Sequence, residues 1–449
     1  MTSAPLKPDI SRPDRIRAVQ RRTLVVLSAA QTVGGVGVAV GLALSSVVVD
    51  ELSGSTVISG FAGTATVLGA ALLALPTAKA SGRGGRRAGL TLAYAAALAG
   101  CLLSVVAISV RNWPLLLAGL VLVGGGSAGN LAARYSATDL SPPGHAARHL
   151  SLVVWAATIG SVAGPNLARP TDQLGMGAGL VEKAGPFAFA ALAFAMALLI
   201  VAAGLRPDPL KLARRMNETP APVSDQNLTT ASDQSSPTTS GRSGATVSPS
   251  GQNRTIRDAW TTLRTTPMAR KALVMIAVSH TAMVSVMSMT PVKLHHDGSN
   301  LDVIGLVISL HIAGMYVMSP VVGWLSDKAG KVPVLMLGMG LLLSAAVLAG
   351  TAGHRVWQVT TALVLLGLGW SCGLVAGSAL VSESVPVERR PAVQGLSDLL
   401  MNVCGATGTI VAGAIVGGLS YGMLGLVVGV MVTLAGLWLA LTWRNAKAA

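Results

Sequence analysis

The sequence predicts an all-α membrane protein of twelve transmembrane helices in two six-helix bundles. Three observations predict it. Of 449 residues, 51% are hydrophobic and only 11% charged, where a soluble domain carries about 25% charged residues. Apolar runs of 18 residues or more recur along the whole chain, each long enough to cross a hydrocarbon core of about 30 Å as a helix. One polar stretch divides these runs six and six. A β-barrel would show short alternating segments instead.

The N-terminal segment 1–23 opens "MTSAPLKPDISRPDRIRAVQRR" and lacks the apolar core and small-residue cleavage site of a signal peptide. The first apolar run is therefore expected to stay as a helix. The first bundle, 24–205, holds spans at 24–48, 57–78, 88–109, 113–137, 149–169 and 183–205. Residues 206–258 are rich in Ser, Thr, Pro and Asn, as in "TTASDQSSPTTSGRSGATVSPSGQ". That composition buries no core and predicts a disordered linker. The second bundle, 259–442, opens with a short surface helix over 259–270. Its spans follow at 271–292, 301–326, 332–351, 356–380, 393–418 and 420–442, with a tail at 443–449.

The formal net charge is +15. In a soluble protein that excess would point to nucleic acid. Here it falls in alternate loops: Arg111, Arg169, Lys183, Lys293 and Arg355 lie on one side, Arg134 lies inside a span, and the remaining Lys and Arg lie on the side of the termini. This bias predicts cytoplasmic termini and linker in a bacterial inner membrane. The triplets at Asn217, Asn227 and Asn253 then face the cytoplasm and read as chance. Cys101, Cys372 and Cys404 all lie in apolar segments, so no structural disulfide is expected.

The halves repeat weakly. "TDLSPPGHAARHL" leads into span five and "SESVPVERRPAVQ" into span eleven; at one constant offset Asp139 matches Glu383, Pro142 matches Pro386 and Gly164 matches Gly408. Two parallel six-span repeats place a substrate site near mid-membrane between them.

"GWLSDKAGK", with Gly323, Asp327, Lys328, Gly330 and Lys331, follows span eight. It resembles the G-x-x-x-D-[RK]-x-G-[RK] loop of the major facilitator superfamily, and the resemblance implies the major facilitator fold. The loop would act as a gate, Asp327 capping a neighbouring helix or pairing with a base while the cytoplasmic side is shut. The first-half counterpart, "SGRGGRRAG", has Gly82 where the acid would stand, so a one-sided gate is expected. Span five holds "GSVAGP", Gly160, Gly164 and Pro165, which resembles the motif of proton-coupled exporters. It reads equally as close helix packing with a proline kink.

"MVSVM" puts Met283 and Met287 on one face of span seven, with His280 a turn earlier; "HIAGM" does the same for His311 and Met315 on span eight. More than half of the 16 methionines fall between residues 268 and 339. Met283 and His311 come out roughly 13–15 Å below the outer surface at the helical rise per residue. Thioether and neutral imidazole suit Cu(I), although methionine in a helix is also ordinary core filler. Met289, His295 and His296 stand as accessory candidates, the last two near the mouth, where they also read as solvated loop residues. M-x-x-x-M followed by H-x-x-x-M looks like the CcoA-like copper importers, a branch of the same superfamily. That resemblance implies Met283, Met287, His311 and Met315 as the ligands of transported copper.

Other polar groups in the spans carry two readings each. Arg134 forms a local pair with Asp139 or snorkels. Asp398, with Asn402 a turn away, couples transport to protons or pairs with Arg389 or Arg390. Gln31 bonds substrate or a helix. No nucleotide-binding loop and no nucleophile–base pair stands out, which excludes a primary pump and an enzyme. The sequence therefore predicts a monomeric secondary transporter that imports copper, as Cu(I) or a soft complex, with no resident cofactor. The alternatives are a proton-coupled exporter of drugs or small metabolites, a riboflavin-type importer, and a metal sensor.

Overall fold

The computed structural model describes residues 13–55, 58, 61–218, 256–299 and 301–448, and the described secondary structure is helical throughout. The helices are α1 (Pro13–Ala43), α2 (Ser45–Ser53), α3 (Phe61–Gly84), α4 (Arg86–Ser109), α5 (Trp113–Ser136), α6 (Ala146–Gly177), α7 (Gly185–Gly204) and α8 (Pro209–Glu218). The second half contributes α9 (Ile256–Thr265), α10 (Pro267–His296), α11 (Leu301–Tyr316), α12 (Ser319–Ala329), α13 (Lys331–Gly350), α14 (Val356–Ser384), α15 (Arg390–Gly418) and α16 (Tyr421–Ala448). Eleven helical stretches among the described residues are long and apolar enough to cross a membrane. α6 is a further helix of 32 residues that packs along α1. Its Arg148, His149, Arg169 and Asp172 dilute its hydropathy near both ends.

Local chemistry sets the helix ends. The Asn112 side chain accepts the Leu115 N–H at 3.0 Å and starts α5, with a proline in its first turn. Gly54, at φ 64°, ends α2 with its N–H on the Asp50 carbonyl at 2.8 Å. The eighth span, expected as one helix, is two. Pro320 cannot donate to the carbonyl of Tyr316 four residues back. The Ser319 hydroxyl bonds that carbonyl at 2.7 Å instead, and the chain restarts as α12.

Two further expectations change. Part of the stretch expected as a disordered linker, Pro209–Glu218, is helix α8. Leu212 and Ala213 pack with Leu140 against Val19 and Val387, so the sequence has an apolar face there that its overall polarity hides. Most of the remaining linker lies outside the described residues. The surface helix expected before the second bundle is α9, anchored by Ala259 and Leu263 with Trp260 exposed.

In the first half, α1 lies against α6 and α7, and α5 against α3 and α4; in the second, α14 packs on α10, α11 and α13. α6 meets α1 at two small residues. A methyl on Gly160 would stand 2.6 Å from the Gly35 backbone, and one on Gly164 would overlap Ala39. Those glycines are spent on helix contact; the side chain of Pro165 lies outside the described residues. The halves meet through α3 with α15 and through α6 with α11, α12 and α14. Gly395 of α15 lies against Ala78, and Gly323 of α12 against Ser151. Both contacts fall toward the side where α1 begins and α16 ends, called the terminal side below.

Candidate functional site

The terminal side is closed by polar contacts that cross between the halves. Asp327 at the end of α12 accepts the N–H groups of Ala147 and Arg148 at 3.2 and 2.9 Å. It thereby caps α6, where the helix dipole favours a carboxylate. Lys331 stands 3.6 Å from Asp327 and 2.9 Å from Glu383. Lys328 instead lies over the Trp324 ring. Gly330, at φ 96°, takes the turn between α12 and α13.

The first half contributes polar contacts on this side too, through other residues than Gly82. Arg86 forms a two-point pair with Asp139, at 2.7 and 2.9 Å, and its Nη2 also donates to Gln394 Oε1 of α15 at 2.6 Å. Gln394 in turn donates to Ser382 at 3.0 Å. Polar contacts thus cross between the halves from both repeats, although Gly82 supplies no acid. Arg86–Asp139 and Lys331–Glu383 are corresponding pairs of the two repeats.

Arg134 does not pair with Asp139, and Asp398 does not pair with Arg389 or Arg390. They pair with each other: Arg134 Nη2 donates to Asp398 Oδ1 at 2.7 Å, both side chains being buried. Beside them Tyr135 donates to Ser397 Oγ at 3.1 Å. Among the described residues the Nε–H and Nη1–H groups of Arg134 have no hydrogen-bond partner, and neither does the buried Oε1 of Gln31.

Behind this seal lies a cavity of about 410 Å³ between the halves. Gln31, Asn130 and Arg134 line it from the first half; His280, Met283, Met315, Tyr316, Trp370, Met401 and Asn402 line it from the second. Tyr316 meets Trp370 edge to face, ring centroids 5.7 Å apart. Trp370 donates from Nε1 to His280 Nδ1 at 3.1 Å. The His280 proton must then sit on Nε2, which faces Gly405.

The four expected copper ligands are not all brought together. Met283 and Met315 both line the cavity. His311 is fully buried and turned to α14, where its Nδ1–H donates to the Leu363 carbonyl at 2.7 Å; its Nε2 lone pair has no partner. Met287 packs half-buried on the core of the second half, as does Met289, which approaches α15 at Gly413. His295 and His296 are exposed at the end of α10. Among the described residues no group of three or more His, Cys, Asp or Glu side chains is placed to hold a metal. Trp370, Tyr316 and Asn130 were not picked out by spacing, and only their polarity within apolar runs marks them; Arg86 and Gln394 lie in the quoted loop and connection, which gave them no role of their own.

A sequence model described as Major Facilitator Superfamily matches residues 23–302 and 294–449. The Uncharacterized MFS-type transporter YdeG of Bacillus subtilis (strain 168) is 33% identical over 430 residues, covering 96% of this chain and 94% of the relative. The Riboflavin transporter RfnT of Brucella anthropi is 23% identical over 398 residues, covering 88% and 89%. The crystal structure of the human organic anion transporter MFSD10 (TETRAN) superposes with a TM-score of 0.67 at 16% identity, covering 94% of this chain and 99% of that one.

Proposed function

This chain belongs to the major facilitator superfamily, and from that premise we propose that it is a secondary carrier of a small organic solute bearing an acidic or carbonyl oxygen, held on Arg134 in the central cavity. The observation that carries this reading is the pair of unpartnered Arg134 N–H groups at the cavity wall. A buried donor without an acceptor costs about 1–3 kcal/mol, more when charged. A solute oxygen removes that cost while Nη2 keeps Asp398. Trp370, Tyr316 and Leu374 offer an apolar wall for the rest of the solute, and a volume near 410 Å³ suits a small molecule. A riboflavin-type ring system, with its carbonyl oxygens, belongs to this class, and the relative named a riboflavin transporter agrees with it.

Asp398 is the group that links the carrier to protons. Its neutralisation breaks the 2.7 Å bridge between α5 and α15 and leaves Arg134 to the solute. In this reading the carrier is a monomer in a bacterial inner membrane, and the Lys and Arg bias supports cytoplasmic termini. It performs no bond-making chemistry.

Copper remains a second reading for one reason. Met283 and Met315 share the cavity, and a turn from Met315 the His311 Nδ1–H···O=C bond leaves Nε2 free as a neutral donor. Against a bare cation stands the Arg134 guanidinium in the same cavity. The test is uptake into proteoliposomes of aromatic carboxylates, riboflavin and Cu(I), with wild type and Arg134→Lys. Loss of organic uptake in the variant supports the organic reading. Copper uptake untouched by Arg134→Lys, with no organic uptake at all, overturns it.

A further inference from the structure

The geometry points to a phosphate-binding pocket on the outer rim of the first half, built to hold the headgroup of an anionic phospholipid. A second cavity, about 550 Å³, lies at the terminal-side ends of α4 and α7 where α8 begins, well away from the central cavity. Arg87 enters it from α4, Arg206 from the turn after α7, and Lys211 from α8. Among the described residues none of these three side chains makes an ion pair or hydrogen bond.

Asp208 is the one acid among the lining residues, and backbone donors occupy it. Its Oδ2 accepts the Arg87 N–H at 2.9 Å; its Oδ1 accepts the Leu210 and Lys211 N–H groups at 3.1 and 3.2 Å. The carboxylate thus ties α4 to α8 and so holds the three cations around one space. Three cations against one acid leave that space positive.

The surroundings favour a lipid as the source of the phosphate. Ala88, Ala202 and Leu205 form an apolar wall. About one turn deeper, Leu92 of α4 and Leu199 of α7 are exposed, 40% and 63%, as an acyl chain would require. A basic pocket between helix ends at the membrane edge suits an anionic headgroup, since Lys and Arg near the surface attract its phosphate.

The test uses the purified full chain in detergent, titrated with phosphatidylglycerol or with phosphatidylcholine of the same acyl chains, bound lipid being counted by native mass spectrometry. One phosphatidylglycerol should be held about tenfold more tightly than phosphatidylcholine. Arg87→Gln with Arg206→Gln and Lys211→Gln should abolish the preference. Arg15→Gln with Arg21→Gln and Arg22→Gln removes the same charge from exposed positions on the same side and should leave it intact. Lys211→Gln alone, at an exposed position, should weaken it several-fold and serves if the triple variant does not fold. Equal loss in both triple variants, or no preference in wild type, overturns the proposal. Inorganic phosphate that binds wild type as tightly as the lipid, and displaces it fully, would assign the pocket to soluble phosphate compounds and overturn the lipid assignment.

Discussion

Arg134 of α5 and Asp398 of α15 meet at 2.7 Å, a cation from one half and an anion from the other joined inside the membrane. Two buried charges are costly to desolvate, and their attraction roughly repays that cost, so the pair adds little net stability. What it adds is a bolt between the halves, from α5 to α15.

Removing one partner should therefore hurt more than removing both. Asp398→Asn leaves the guanidinium buried and uncompensated, at a cost of about 3–5 kcal/mol. Arg134→Gln with Asp398→Asn should recover much of it. Thermal unfolding in detergent of the singles and the double forms the cycle. A double variant as unstable as the sum of the singles would mean that the two charges do not act as a pair.

Asp327 makes a second bolt, since its two oxygens cap α6 from α12. Asp327→Ala removes the cap, worth about 1 kcal/mol, and its contact with Lys331. The closed terminal side should open more often. Maleimide labelling of Ala74→Cys, a position 5% exposed on α3, should rise in that variant. Unchanged labelling would remove Asp327 from the gate.

These bolts show where the sequence stops informing. Apolar length and the polar divider are local properties, so the spans and the six-plus-six plan are legible in them. The break at Ser319–Pro320 rests on local proline chemistry as well, yet the expectation of one helix over 301–326 passed over it. The partner of Arg134 lies 264 residues away, and no local spacing favours Asp398 over Asp139 for it. The expected Asp327 cap came through a motif whose chemistry is one residue on one helix end. His311 and Met315 share a helical face by arithmetic, yet a rotation of α11 places Met315 at the cavity and His311 against Leu363. That rotation is set by packing on α14, which spacing along one helix does not encode.

On the opposite side, Asp297 follows α10 and joins two elements. Lys293 donates to its Oδ2 at 2.7 Å and His354 Nδ1 to its Oδ1 at 2.8 Å. Burial pushes its carboxyl up, but Lys293 and His354 outweigh burial and hold it below the usual carboxylate range. A depressed folded value means that the stabilisation is complete above the unfolded value of about 3.9 and is lost as pH falls through the folded one. Asp297→Asn should lower stability by about 1 kcal/mol near neutral pH. The gap to wild type should stay level from pH 8 to about 5 and close only below about 4. Denaturant melts across that range check it; a gap that closes well above pH 4 would remove the ionised Asp297 carboxylate from the stabilising contact.

The two cargo readings separate on the thioethers. Met283 and Met315 are 4% and 6% exposed and face one cavity from different helices. For an organic solute they are part of an apolar wall, and Met283→Leu with Met315→Leu keeps volume, so transport should change by less than about threefold. For copper they are donors that leucine cannot replace, and the same pair should abolish uptake. Arg134→Lys gives the converse: it keeps the charge but loses the planar fork, so an organic anion should bind about tenfold more weakly. Uptake in proteoliposomes with these two variants therefore yields opposite patterns. Organic uptake lost in the leucine variant and kept in Arg134→Lys would place the solute on the methionines and take Arg134 out of the binding site.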